Sequence, residues 1–197
     1  MLLVPESITP EIAAFASTLS AGSIPMVVRI VPAHDAAYLS CWQNVQDVCK
    51  RCGGQPINGW RVWWIPQILI EAQAHVVWQA AEDQLFDVTP NEDGEQNCVF
   101  VCDPDMTARP GIDFVPSRHE NLTGEAFIDE YIRCATVLAR HQDDVETTPL
   151  WLPDPPERAI MSRLLNQISE RQKRLADSVD SAQPNALPKN CRPMVGR

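Results

Sequence analysis

Basic residues are in short supply. The 197-residue chain carries 16 Lys and Arg against 26 Asp and Glu, a formal charge of -10, so it lacks the cationic surface that displaces counterions from a phosphate backbone. Nucleic acid is therefore not an expected partner. Long apolar runs are missing as well: the stretch from Met26 to Val31 is interrupted by Arg29 and falls far short of the roughly 20 residues a bilayer-spanning helix needs. The opening MLLVPESITPEIAAF has no basic residue ahead of an apolar core and meets Pro5 and Glu6 at once, which is not the pattern of a secretory signal. The expectation is a soluble, cytoplasmic protein with no membrane partner.

A chain of this length suits one domain with an appendage, and its 45% hydrophobic content is enough for a core. A disulfide framework is not expected. Seven cysteines, an odd number without an export signal, read as reduced thiols, metal ligands or a nucleophile.

Local patterning divides the chain. TPEIAAFASTL, with Thr9 as N-cap and Pro10 at the first helical position, reads as a helix stopped by Gly22. SIPMVVRIVP is rich in β-branched residues and reads as a strand. Ser40 is the expected N-cap of a helix over 41–51, with Trp42, Val45 and Val48 or Cys49 at apolar spacing and Cys52-Gly53-Gly54 ending it. Extended segments follow at 55–64, 68–79, 85–89 and 98–102, separated by Pro66, Glu82-Asp83 and Asn91-Glu92-Asp93-Gly94. An antiparallel meander is the simplest way to join them, and a further helix is expected over 123–142. The resulting organisation is an α+β domain over 1–142, a proline-rich linker or arm over 143–156, a helix over 157–176, and a polar, disordered tail over 177–197. The helix carries the apolar stripe Ile160, Leu164, Leu165 and Ile168, which suits packing on its own domain.

One stretch concentrates the chemistry. Between Cys41 and Pro90 lie a cysteine opening a helix, a histidine in an apolar strand (IEAQAHVVW) and an aspartate in the next strand (QLFDVTP). Thiols react as thiolates, and the first helical turn favours negative charge through its free N–H groups and the macrodipole. That position sets Cys41 apart from the other cysteines, and the same N–H groups suit a developing oxyanion. His75 and Val77 share one strand face while Leu85 and Asp87 share a face of the neighbouring strand, so a short turn sets imidazole beside carboxylate. Cys41, His75 and Asp87 thus read as nucleophile, base and orienter. His34, Gln43 and Asn44 are expected contributors to the oxyanion or substrate site. Trp42 and Trp78 are expected in the wall of an acyl- or peptide-binding cleft, to which Trp60, Trp63 and Trp64 also lie close in sequence. His119 and His141 read as solvated, and Glu71, Glu82 and Asp83 as a solvated acidic face.

The order of a cysteine opening a helix, Cys52-Gly53-Gly54 followed by GWRVW, a strand with HVVW, and LFDVTP resembles the core of the transglutaminase-like branch of the papain-like cysteine hydrolase superfamily. The segment GGQPINGWRVWWIPQILIEAQAHVVWQAAEDQLFDVTP is also similar to a group of uncharacterised bacterial proteins. The likeness spans Cys41 to Pro90, with two valines rather than one residue between His75 and Trp78. It implies a papain-like or transglutaminase-like α+β fold, with the nucleophile helix packed on an antiparallel sheet, and a Cys41–His75–Asp87 triad. The implied activity is acyl transfer without a cofactor, by amide hydrolysis, deamidation or amine transfer, on a protein or peptide bearing a carboxamide or acyl group.

Other readings compete. Cys49 with Cys52 and Cys98 with Cys102 would offer four thiolates to a structural zinc, but residues four apart in a strand lie about 13 Å apart. That is too far for one ion unless the strand bends, so a Cys-rich structural zinc protein stays an alternative and no metal is assigned to the site. The scaffold would otherwise serve as a non-catalytic interaction module, using its aromatic surface and the arm that carries Trp151.

Overall fold

A computed structural model describes residues 2–80, 84–91, 94–145 and 156–182. Along the chain run α1 (Pro10–Leu19), β1 (Met26–Ile30), α2 (Cys41–Cys52), β2 (Gln55–Ile65), β3 (Leu69–Gln79), β4 (Leu85–Asp87), β5 (Asn97–Cys102), β6 (Arg118–Asn121), α3 (Ala126–Val145) and α4 (Pro156–Ala182). Strands β2, β5, β1, β4 and β3 pair in that order and β2 pairs back onto β3, closing a five-stranded mixed sheet to which β6 adds alongside β3. The architecture is α+β.

The expected meander describes β2–β3 and β3–β4 but not β5. Instead β5 lies between β2 and β1, and β1 runs parallel to β4, with Arg29 opposite Phe86 and Ile30 opposite Asp87. The sheet is mixed, not antiparallel. The physical reason lies in the unbroken run NCVFVC: Cys98 and Phe100 fill the inside of the closed sheet, while Val99 and Val101 face α1 outside. A strand apolar on both faces needs cover on both, which the end of a meander does not supply.

Two layers of core follow. Inside, Val28, Ile30, Val77, Cys98 and Phe100 pack together, and full burial of a side chain like Phe100 contributes about 2–3 kcal/mol. Outside, α1 lays Ile12, Phe15 and Ala16, an i, i+3, i+4 face, against Trp60, Val62, Ile70 and Ala72. A separate cluster joins the end of the β2–β3 hairpin, at Ile65, Ile68 and Leu69, to Ile128, Tyr131 and Cys134 of α3 and to Leu164 and Ile168 of α4. The stripe of α4 therefore packs on its own domain, with Leu165 left exposed.

Helix ends show where local chemistry acted. Thr9 caps α1, its Oγ1 accepting from the Ile12 N–H at 3.3 Å. The Ser40 side chain makes no capping bond to α2; its hydroxyl donates to the Tyr38 carbonyl instead. The first-turn amides of α2 consequently have no side-chain acceptor, a feature that matters at the site. Helix α4 runs to Ala182, past the expected end at residue 176. The turn at 81–83, residues 92–93, most of the expected arm with Trp151, the His141 side chain and the tail beyond 182 lie outside the described residues. No described helix is long and apolar enough to cross a membrane.

Candidate active site

One edge of β3 is open over part of its length. Strand β4 pairs with β3 only at Trp78↔Phe86 and Gln79↔Leu85, and β6 covers the same edge of β3 only from Leu69 to Ala72. Between those ladders, residues 73–77 leave the edge open. Helix α2 packs beside this gap, with Val45 and Val48 against Val76 and Val88. His75 alternates with Val77, which faces the interior, so the imidazole points inward. Extending the β3–β4 register places Asp87 diagonal to it on the same face.

There the three side chains converge. His75 Nε2 lies 2.9 Å from Asp87 Oδ2, and Asp87 Oδ1 accepts from the Thr89 N–H at 3.0 Å. An ionised carboxylate only accepts, so Nε2 carries the hydrogen and Nδ1 is the nitrogen left for sulfur. Cys41 lines the same cavity as His75 and acts to raise the imidazole pKa. Burial, the largest influence on His75, opposes its charge. The Asp87 charge and hydrogen bond outweigh it, with Cys41 adding, and the imidazole is pushed up to about 9. Burial likewise acts to raise Asp87, yet the His75 charge and hydrogen bond, the Thr89 N–H and Arg61 hold its carboxyl below the ordinary value. A carboxylate with 0% exposure stays ionised because it is paired.

A loop covers the sulfur. Cys41 Sγ donates to the Pro110 carbonyl at 3.1 Å, and the loop is clamped by Arg109, whose guanidinium and backbone N–H both bind the Asp113 carboxylate. Beside them opens a cavity of about 240 Å³ whose lining includes Cys41, His75, Arg61, Trp63, Gln73 and Thr89. Gly111, also on the lining, has φ 86, and a Cβ there would stand 3.0 Å from the Leu39 carbonyl and 3.5 Å from Cys41 Sγ. Gly22 has φ 79 with nothing within 4 Å of a built Cβ. Gly111→Ala and Gly22→Ala are both expected to cost about 1–2 kcal/mol in urea unfolding from the left-handed backbone. Only Gly111→Ala is expected to change the rate at which iodoacetamide reaches Cys41; equal behaviour in both assays would deny the loop its contact with the thiol.

The other expected site residues do not reach this cavity. His34 has a side chain 95% exposed and pairs with Asp35. Gln43 donates to Asp47 on the solvent side of α2. Successive helical residues turn by about 100°, so Trp42 and Gln43 cannot share the face of Cys41. Asn44 is buried, but its amide is already spent: Oδ1 accepts from the Ala37 N–H, and Nδ2 donates to the Ala37 carbonyl and Thr89 Oγ1. It ties the start of α2 to the segment after β4. Trp42 packs in the cluster between α2 and the sheet. Trp78 stacks near Phe86 and donates to the Gly53 carbonyl. Of the tryptophans, Trp63 lines the cavity while Trp60 belongs to the core beneath α1.

Sequence reasoning passed over Arg61, which lines the cavity. Its signal was parity: Trp60 and Val62 face outward, so the residue between them had to point in. His119, expected in solvent, has a side chain only 4% exposed, with Nε2 3.6 Å from Glu71 Oε2, and Glu71 is buried. They meet because RHEN forms β6 beside β3, a pairing that a short polar segment does not advertise. Among the described residues no three His, Cys, Asp or Glu side chains are grouped to hold a metal. Cys98 lies inside the sheet, 3.9 Å from Asp87 Oδ2, and burial followed by the Asp87 charge pushes its thiol up to about 12. Cys49 sits outside, in the α2 cluster. No family model, curated protein or solved structure matches the chain.

Proposed function

We propose that the protein is a cysteine-dependent acyl-transfer enzyme of transglutaminase-like or papain-like type, with Cys41 as nucleophile, His75 as general acid and base, and Asp87 as orienter. The observation that carries this reading is the 2.9 Å bond from His75 Nε2 to a fully buried Asp87, with Cys41 at an uncapped helix start lining the same cavity as the imidazole. His75 Nδ1 takes the thiol proton, and the thiolate attacks an amide or thioester carbonyl. Deprotonation also releases the Pro110 contact, since a carbonyl oxygen only accepts. The oxyanion is met by first-turn N–H groups of α2, and the imidazolium returns its proton to the leaving amine or thiol. Water or an amine, deprotonated by His75, then attacks the thioester, and the Cys41 thiol is regenerated. Hydrolysis, deamidation and amine transfer share this first half.

Exposed Cys52 supplies an internal reference thiol. At neutral pH iodoacetamide is expected to modify Cys41 faster than Cys52 despite its burial, as read by peptide mass analysis. His75→Ala is expected to slow the Cys41 reaction on the order of 10²-fold or more, the usual reach of a positioned base. Cys41 reacting no faster than Cys52 would leave the scaffold a binding module.

A further inference from the structure

The polar layer inside the sheet holds one charged side chain that this chemistry does not use. Arg61 is buried, its side chain 8% exposed, with its guanidinium stacked 4.3 Å from the centre of the Trp63 ring. Nη1 lies 3.6 Å from Asp87 Oδ2, the same oxygen that takes the His75 hydrogen. On the other side Nη2 lies 3.9 Å from Glu95 Oε2. Neither separation is a hydrogen bond, and Nε and Nη2 have no hydrogen-bond partner. Charge and stacking hold the group, and its charge is permanent.

We propose that Arg61 is a positioning residue that shares the charge of Asp87 with His75 and so sets the pH range over which the imidazole keeps its proton. The proposal rests on the Cys41–His75–Asp87 reading above. His75 faces Asp87 and Cys41, with Arg61 across the carboxylate; Asp87 faces His75, Arg61 and Cys98; Arg61 faces Asp87 and Glu95. The Cys98 thiol stays neutral, so it brings no charge to the carboxylate and only a long contact of 3.9 Å to Asp87 Oδ2. With Arg61 present, one cation besides the imidazolium answers the two carboxylates. Without it, Asp87 and Glu95 act on His75 alone, and the imidazolium keeps its proton to still higher pH, which moves its release further from neutral.

The test follows the His75 imidazole by nitrogen-15 NMR titration in the full chain, alongside the pH profile of Cys41 alkylation. Arg61→Met is expected to move the His75 midpoint up by about one pH unit, the usual scale for losing a neighbouring charge, and to carry the alkaline limb of the alkylation profile with it. Arg61→Lys keeps the charge and is expected to restore the midpoint. Glu95→Gln frees Arg61 for Asp87 and is expected to move it down. A purely structural Arg61 would lower the melting temperature in Arg61→Met and Arg61→Lys alike while the midpoint stayed put, which overturns the proposal. Should Arg61→Met fail to fold, Glu95→Gln decides: a downward move supports the proposal and an unmoved midpoint overturns it. A native His75 that titrates like free imidazole, with Cys41 no faster than Cys52, brings down the triad reading and this proposal together. An unmoved midpoint in a reactive triad brings down this proposal alone.

Discussion

Asp87→Ala is expected to lower the free energy of unfolding by about 3–5 kcal/mol, the scale for removing one partner from a buried ion pair. Besides the long contact from Cys98 Sγ, three groups depend on that carboxylate: His75 Nε2 and the Thr89 N–H as hydrogen-bond donors, and Arg61 as a nearby cation. All three are buried, so water cannot take over without opening the sheet. Asp87→Asn keeps the volume and an acceptor but loses the charge, and is expected to destabilise less while still disturbing the imidazole tautomer. Urea denaturation of the two variants measures the difference. A loss below about 1 kcal/mol in Asp87→Ala, the scale of an exposed pair, would mean that the carboxylate is not what holds this layer together.

The same substitution removes a pH dependence whose sign is fixed by the shifts. His75 is raised from 6.5 to about 9, so its contribution is full below pH 6.5 and is lost as pH rises through 9, roughly 3 kcal/mol in all. Asp87 is lowered from 3.8, so its contribution is full above that value and is lost as pH falls through its folded-state pKa. The pair therefore stabilises the fold most between about pH 4 and 6.5. Melting temperature against pH should fall on both sides of that window in the native protein and flatten in Asp87→Ala.

What was legible in the sequence followed short-range rules. Thr9-Pro10, the β-branched run of β1 and the double glycine after α2 each act within a few residues, and each marks a boundary the structure has. Strand order is a different kind of information. Nothing local to NCVFVC says that it pairs with β2 and β1 rather than with its neighbour in sequence; that choice is made by which arrangement covers both of its faces.

The site divides along the same line. Parity brought His75 and Asp87 to one face, because strand alternation is a local rule and the two strands are close in sequence. Asn44 and Gln43 were chosen for their amide donors, but a donor's use depends on what else it meets. Asn44 meets Ala37 and Thr89, and Gln43 meets Asp47. Arg61 obeyed the same parity rule, but its place beside Asp87 needed the fold, and the Pro110-Gly111 loop reaches Cys41 from a distant part of the chain.

Cys41→Ala, His75→Ala and the double variant are expected to lose activity to the same extent, each on the order of 10⁴-fold or more, because groups that act as one unit are not additive. The probe is p-nitrophenyl acetate, whose carbonyl needs no specific recognition. The native protein should release a burst of p-nitrophenolate matched by an acetyl adduct on Cys41, and none of the three variants should show either. The equality matters more than the size of the loss. Without Cys41 there is no sulfur for His75 to deprotonate; without His75 the thiol stays protonated against the Pro110 carbonyl and has no donor for the leaving group. Each single change already removes what the other would. A double variant clearly less active than either single one would show the two side chains working independently, and a burst that survives Cys41→Ala would place the nucleophile elsewhere.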